Sequence, residues 1–162
     1  MAYRRKKGKS IVGAKGKKKT YPFKGIDYKS GLEKNMAMLL DEANIKFQYE
    51  PVKFDVVPSF KFNVDSYEKQ SNGKGDMVNR GQKNVLSVSY TPDFIGEGFI
   101  IETKGYANET FPLRWKLFKK MIVDQPERFP NLTLYKPQNI SECKKVIELI
   151  KEKQNGQKAS GQ

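Results

Sequence analysis

The chain has 162 residues and a formal net charge of +13, a length that suits one domain with its own core. It has no histidine and a single cysteine, Cys143, which excludes a Ser-His-Asp triad, a Cys-His pair, a His- or Cys-ligated zinc and an internal disulfide. Any catalysis must rest on carboxylates, lysines, tyrosines or a bound cofactor, and any metal must be a hard, oxygen-seeking ion such as Mg2+ or Mn2+.

The positive charge is segregated. Residues 1–30 hold 11 Lys and Arg against Asp27 alone, and the rest of the chain holds 20 basic and 17 acidic residues. Residues 1–24 lack hydrophobic periodicity and read as a disordered basic arm. A segregated arm of this kind seeks a polyanion, with nucleic acid ahead of an anionic membrane because few large apolar residues are present to enter a bilayer. Its phosphate-contacting candidates are Arg4, Arg5, Lys6, Lys7, Lys17, Lys18 and Lys19. No apolar run approaches the ~20 residues of a membrane span, and no signal-peptide core follows the basic start. The expected location is the cytoplasm.

Residues 25–156 are expected to form a single domain, with a short disordered tail at 157–162. Ser30 opens a helix: "SGLE" is a capping-box pattern with Ser30 at the N-cap and Glu33 at N3. Leu32, Met36, Leu39, Leu40 and Ala43 then recur at helical spacing, to about Asn44. "KFQYEPVKFDVV" alternates with period two and reads as strand, Pro51 marking an edge or bulge. "SFKFNV" continues extended. The polar, glycine-containing segment 65–84 reads as a long loop or hairpin excursion. "VLSVSY" (85–90) is a strand, and residues 94–104 fold as a hairpin about the "GEG" turn at 96–98.

Further on, "TFPLRWKLFKKMIVDQ" predicts a helix with Pro112 in its first turn and a buried stripe of Leu113, Leu117, Phe118, Met121 and Ile122. "NLTLY" is a short strand. "SECKKVIELIKEKQNG" is a last helix with Cys143, Val146, Ile147 and Ile150 packed inward and Gly156 as its stop signal. The order of elements predicts an α/β fold, a mixed central sheet flanked by helices.

The hairpin carries an anomaly. In a strand, residues i and i+2 share a face, so Glu102 and Lys104 project together while Ile101 and Thr103 point oppositely. The apolar run before them marks the strand as central. The "GEG" turn folds the Asp93 strand back so that Asp93 faces Glu102. Two carboxylates brought close repel unless a cation sits between them, which is the chemistry of a divalent-metal site. A lysine beside them suits a water nucleophile or a transition state of increasing negative charge. Metal, lysine and basic arm together point to a phosphodiester substrate.

"PD" at 92–93 followed by "ETK" at 102–104 resembles the PD-(D/E)xK nuclease signature. Two similar triplets fail on context. "ECK" (142–144) lies on a predicted helix, where i and i+2 diverge by about 200°, and "DYK" (27–29) lacks strand context. Taken together, "SGLEKNMAMLLDEANIKFQYEP", "YTPDF" and "GFIIETKG" resemble the phage endonuclease I family of DNA junction-resolving enzymes, over roughly residues 30–106. The resemblance implies a restriction-endonuclease-like nuclease core and a Mg2+ cofactor, with Mn2+ substituting. It implies an active site of Glu33, Asp93, Glu102 and Lys104, with Asp93, Glu102, the Thr103 carbonyl and Glu33 as metal ligands. It also implies branched DNA as substrate, a homodimer that can exchange strands, and the host cytoplasm as location. Glu33 lies about 20° from Leu40 on a helical wheel, aimed toward the core. The 65–84 excursion departs from the family pattern near where the family's subunits are linked.

Lys116, Lys119 and Lys120 form a candidate phosphate-facing strip, with Trp115 either stacking on a base or partly buried. A nicking or sequence-selective nuclease of the same superfamily, or a non-catalytic basic nucleic-acid-binding protein, are the competing expectations.

Overall fold

The computed structural model describes residues 19–105 and 110–159. Lys24 and Gly25 both take positive φ, 48° and 79°, the pairing that closes a two-residue hairpin turn. The turn joins β1 (Tyr21–Phe23) to β2 (Ile26–Tyr28), with Phe23 opposite Ile26. The basic arm therefore does not extend to residue 24. Tyr21 and Phe23 pack against a hydrophobic core, because alternate residues of a paired strand share one face. Residues 1–18, with Arg4 through Lys18, lie outside the described residues.

Helix α1 (Gly31–Glu42) begins as the sequence predicts: the Ser30 hydroxyl accepts from the Glu33 N–H at 3.1 Å. Met36, Ala37 and Leu40 form its buried face. The helix ends at the Ala43 cap, and Asn44 takes the left-handed position beyond it at φ 55°. The alternating run 47–57 is two strands in two different sheets, β3 (Phe47–Tyr49) and β4 (Phe54–Val57). The break falls at Glu50, whose φ of 43° turns the chain out of the first sheet just before Pro51.

The chain then runs out and back as one antiparallel ribbon. β4 is followed by β5 (Phe60–Phe62), β6 (Tyr67–Glu68), β7 (Val78–Asn79), β8 (Lys83–Val85) and β9 (Val88–Tyr90). β6 pairs with β7, β5 with β8, and β4 with β9. The polar excursion 65–84 is thus the ribbon's hairpin tip. The run at 85–90 is interrupted at Leu86 and Ser87, and Leu86 is 82% exposed.

β10 (Phe94–Gly96) and β11 (Phe99–Ile101) form the expected tight hairpin, Gly98 supplying a positive φ of 71°. After α2 (Phe111–Asp124) comes β12 (Thr133–Tyr135), parallel to β11, then α3 (Ile140–Ala159). The main sheet has the order β12-β11-β10-β3 and is mixed, so the chain is an α/β protein. Among the described residues no helix is long and apolar enough to cross a membrane.

Two expectations about the helices need correction. In α2 the buried residues are Phe111, Trp115, Phe118 and Met121, while Leu113 is 62% exposed. The aromatic residues at i, i+4 and i+7 bury more apolar area than the leucines and set the inward face. Gly156 does not end α3, which continues to Ala159. Glycine costs a helix interior only about 1 kcal/mol relative to alanine, and the flanking residues tolerate helix.

The strand β11 separates two cores. Phe99 and Ile101 join α1 and α3 residues including Met36, Leu40, Cys143 and Val146. Ile100, facing the other way, joins Phe54 and Tyr90 from the ribbon root and Phe111, Trp115 and Phe118 from α2.

Candidate functional site

Phe94 lies opposite Ile101 in the β10–β11 ladder, so continuing the register by one residue sets Asp93 opposite Glu102, as the sequence predicts. The extended backbone persists past the end of β11. Glu102 N–H donates to the Tyr135 carbonyl and Lys104 N–H to the Pro137 carbonyl, each at 2.9 Å. Glu102 and Lys104 consequently share a face: Lys104 Nζ lies 3.8 Å from Glu102 Oε1 and 4.6 Å from the centroid of the Phe111 ring. At that distance the pair is an ionic contact and no hydrogen bond.

Each carboxylate is fixed by one oxygen. Asp93 Oδ2 accepts from the Thr103 N–H at 2.7 Å and the Thr103 hydroxyl at 2.6 Å. Glu102 Oε2 accepts from the Tyr90 hydroxyl at 2.6 Å. Glu33 Oε2 accepts from the Tyr49 hydroxyl at 2.5 Å and the Lys29 N–H at 2.9 Å. The capping box is thus displaced by one residue, since Glu33 reaches the Lys29 amide in place of that of Ser30. The second oxygens, Asp93 Oδ1, Glu102 Oε1 and Glu33 Oε1, have no hydrogen bond among the described residues. No buried side-chain polar atom there lacks a partner.

Glu33, Asp93, Glu102 and Thr103 are the buried polar residues of the described fold. Burial raises the pKa of Asp93, offset in part by the Thr103 hydrogen bonds, and the charge of Glu33 raises it further. Burial likewise raises Glu102, and the facing charge of Asp93 adds to the effect, while the Tyr90 hydroxyl and Lys104 oppose it. Burial also holds the phenols of Tyr90 and Tyr49 well above the usual tyrosine range, reinforced by the acceptor each faces. Both therefore remain hydrogen-bond donors at any physiological pH.

The sign for stability follows from these shifts. Unfolded carboxylates titrate near pH 4, and in the fold both pKa values lie higher, Glu102 reaching about 8. Between those limits the folded chain binds more protons than the unfolded chain, so stability falls as pH rises. With no histidine to titrate in that window, metal-free protein in EDTA should melt at lower temperature at pH 8 than at pH 5. Glu102→Gln should flatten the slope. A wild-type melting temperature that is constant or rises over this range would contradict the assignment.

The donor set is of hard oxygens only, with neither histidine nor thiolate at the site, which suits Mg2+ or Mn2+. Among the described residues, no three or more acidic or thiol side chains come together closely enough to hold a metal ion as a group. A cation here would be held by Asp93 and Glu102, with its remaining positions left to water, substrate or the Thr103 carbonyl. That is the sparse protein coordination Mg2+ tolerates. Glu33 is close enough to act on the charges of Asp93 and Glu102, without joining them in one cluster.

The remaining predicted residues are less tightly placed. Lys116, Lys119 and Lys120 are exposed on α2. Lys119 Nζ lies 5.6 Å from the centroid of the Trp115 ring and Lys120 pairs with Asp124, so the strip is partly engaged. Trp115 is 8% exposed between Phe111, Phe118 and Tyr90, which leaves no free face for a base. Lys19 Nζ lies 5.2 Å from the centroid of the Tyr21 ring.

Sequence reasoning missed Tyr49 and Tyr90 as site residues. Their places at the ends of strands leading into "EP" and "TPD" were the available signal. It also missed Lys136, whose Nζ lies 6.0 Å from the same Phe111 ring that Lys104 overlies. Comparisons with family models, curated proteins and solved structures find no match to this chain.

Proposed function

We propose that this protein is a Mg2+-dependent, structure-selective DNA endonuclease of the junction-resolving kind, acting on branched duplex DNA. Its nuclease core would be restriction-endonuclease-like. One observation carries the reading. Two buried carboxylates face each other, each has one oxygen with no hydrogen bond among the described residues, and Lys104 Nζ stands 3.8 Å from Glu102 Oε1. That arrangement is electrostatically unfavourable alone and favourable around a divalent cation. The resemblance of "PD…ETK" and "SGLE" to the phage endonuclease I family and the basic N-terminal segment support the same reading.

Asp93 and Glu102 would hold the metal, with the Thr103 carbonyl as a further ligand. Glu33 would bias the same region electrostatically or assist a second ion. Bound Mg2+ supplies Lewis-acid polarisation of the phosphoryl oxygens. Lys104 would orient the attacking water or offset negative charge growing at phosphorus. In-line attack breaks the P–O3′ bond. The water gives up a proton, the leaving 3′ oxygen gains one, and the products carry 5′-phosphate and 3′-hydroxyl ends. Arg4, Arg5, Lys6, Lys7, Lys17, Lys18, Lys19 and the α2 lysines would contact phosphates, giving affinity without sequence information.

A homodimer would place two such sites on one junction. The ribbon is its natural contact surface, since a lone two-stranded ribbon is only marginally stable and Phe60, Val64, Tyr67, Met77 and Leu86 are exposed along it.

The test is cleavage of a four-way junction, a nicked duplex and a plain duplex of the same sequence in Mg2+. The reading expects the junction to be cut in preference, with no cutting in EDTA. Preference for nicked or plain duplex would move the protein to a nicking or sequence-selective class. Binding of all three without cutting would leave a nucleic-acid-binding protein.

A further inference from the structure

We propose that Tyr90 and Tyr49 are positioning residues of the metal site: the Tyr90 phenol fixes one oxygen of Glu102 so that the other can face the cation, and the Tyr49 phenol fixes Glu33, whose charge acts on that site. The inference rests on the metal-site reading above and goes beyond it by assigning roles to two residues outside the ligand set.

The two tyrosines reach the site from opposite sides of the sheet. Tyr90, at the end of β9, belongs to the α2 core, its ring 4.7 Å from Phe118 and 5.8 Å from Trp115. It is 5% exposed, and its hydroxyl reaches Glu102 Oε2 at 2.6 Å. Tyr49, at the end of β3, packs against the other core, its ring 4.6 Å from Tyr28 and 5.5 Å from Phe94. Its hydroxyl donates to Glu33 Oε2 and accepts from the Lys29 N–H at 3.3 Å. The Lys29 N–H also donates to Glu33 Oε2, so Tyr49, Lys29 and Glu33 close a small ring of hydrogen bonds.

A glutamate has three side-chain torsions, one more than an aspartate, and left alone it samples several carboxylate orientations. Asp93 is short and is pinned by Thr103 from the adjacent strand. Glu33 and Glu102 are longer, and both are pinned by a rigid phenol anchored in a core. An aromatic ring loses little entropy in being so held, and the phenol's single donor hydrogen selects one oxygen. The pattern repeats on both glutamates: on Glu102 it is the outer-shell support that a metal-binding carboxylate requires, and on Glu33 it fixes the position of a charge felt by Asp93 and Glu102.

The experiment is Mn2+ titration of the full-length protein, followed by electron paramagnetic resonance of the free ion. Wild type, Tyr49→Phe and Tyr90→Phe are compared with a control, Tyr135→Phe. Melting temperatures in EDTA are measured alongside. The expected result is a 10- to 100-fold weaker Mn2+ affinity for Tyr90→Phe, a smaller loss for Tyr49→Phe, and none for the control. A purely structural role would lower the melting temperature and leave affinity unchanged. If Tyr90→Phe does not fold, Tyr49→Phe decides. Affinities within twofold of a well-binding wild type overturn the inference while leaving the metal site standing. Absence of saturable Mn2+ binding by wild type overturns the metal-site reading and the inference with it.

Discussion

Replacing Glu102 with glutamine is expected to abolish Mg2+-dependent junction cleavage, by on the order of 10³-fold or about 4 kcal/mol of barrier, without unfolding the protein. The substitution changes one atom. Glu102 is 4% exposed and accepts from the Tyr90 hydroxyl through one oxygen, a contact the amide oxygen of glutamine can keep. What is lost is a charge that the metal-free fold does not welcome, since burial and the facing Asp93 both disfavour it. Activity and stability should therefore separate. Cleavage disappears, while the melting temperature at pH 8 in EDTA equals or exceeds that of wild type. Cleavage within tenfold of wild type, or a large fall in melting temperature, would contradict the role assigned to this carboxylate.

The second large effect is in the core beneath the site. Phe94 has no exposed surface, and its ring centroid lies 5.6 Å from that of Phe47, 5.5 Å from Tyr49 and 6.3 Å from Tyr28. Phe94→Ala removes a ring from a closed aromatic cluster and leaves a cavity, a loss of roughly 3–5 kcal/mol. For a chain of this size that lowers the melting temperature by about 6–20 °C. Leu113→Ala, at a leucine that sequence periodicity places in the core and the fold leaves 62% exposed, should change stability by less than about 0.5 kcal/mol. Urea denaturation of both variants measures the contrast. Equal effects would mean that the core has been wrongly placed.

These two residues also show what could be read from the sequence. The Asp93–Glu102 opposition was legible because period-two geometry and a tight glycine turn leave one register. The Ser30 N-cap was legible because capping is local, while the carboxylate of Glu33 reaches the Lys29 amide and not that of Ser30. The inward face of α2 was not, because leucines and aromatics compete for burial and only tertiary packing decides between them. The β1–β2 hairpin was hidden by its lysines: residues 19–24 look like the rest of the basic segment until Lys24-Gly25 is recognised as a turn of two positive-φ residues. The 47–57 run looked like one strand because alternation does not record which sheet each half joins. Tyr49 and Tyr90 were marked only by their places before "EP" and "TPD", a weak signal, since a phenol that holds a carboxylate has the same sequence signature as one that fills a core.

The most direct measurement is an X-ray structure of the protein soaked in Mn2+, with anomalous data collected at the manganese edge. The account predicts a peak about 2–2.5 Å from both Asp93 Oδ1 and Glu102 Oε1, with Lys104 beside it. A fully soaked crystal with no peak between those two oxygens, or with manganese bound only elsewhere, would contradict it.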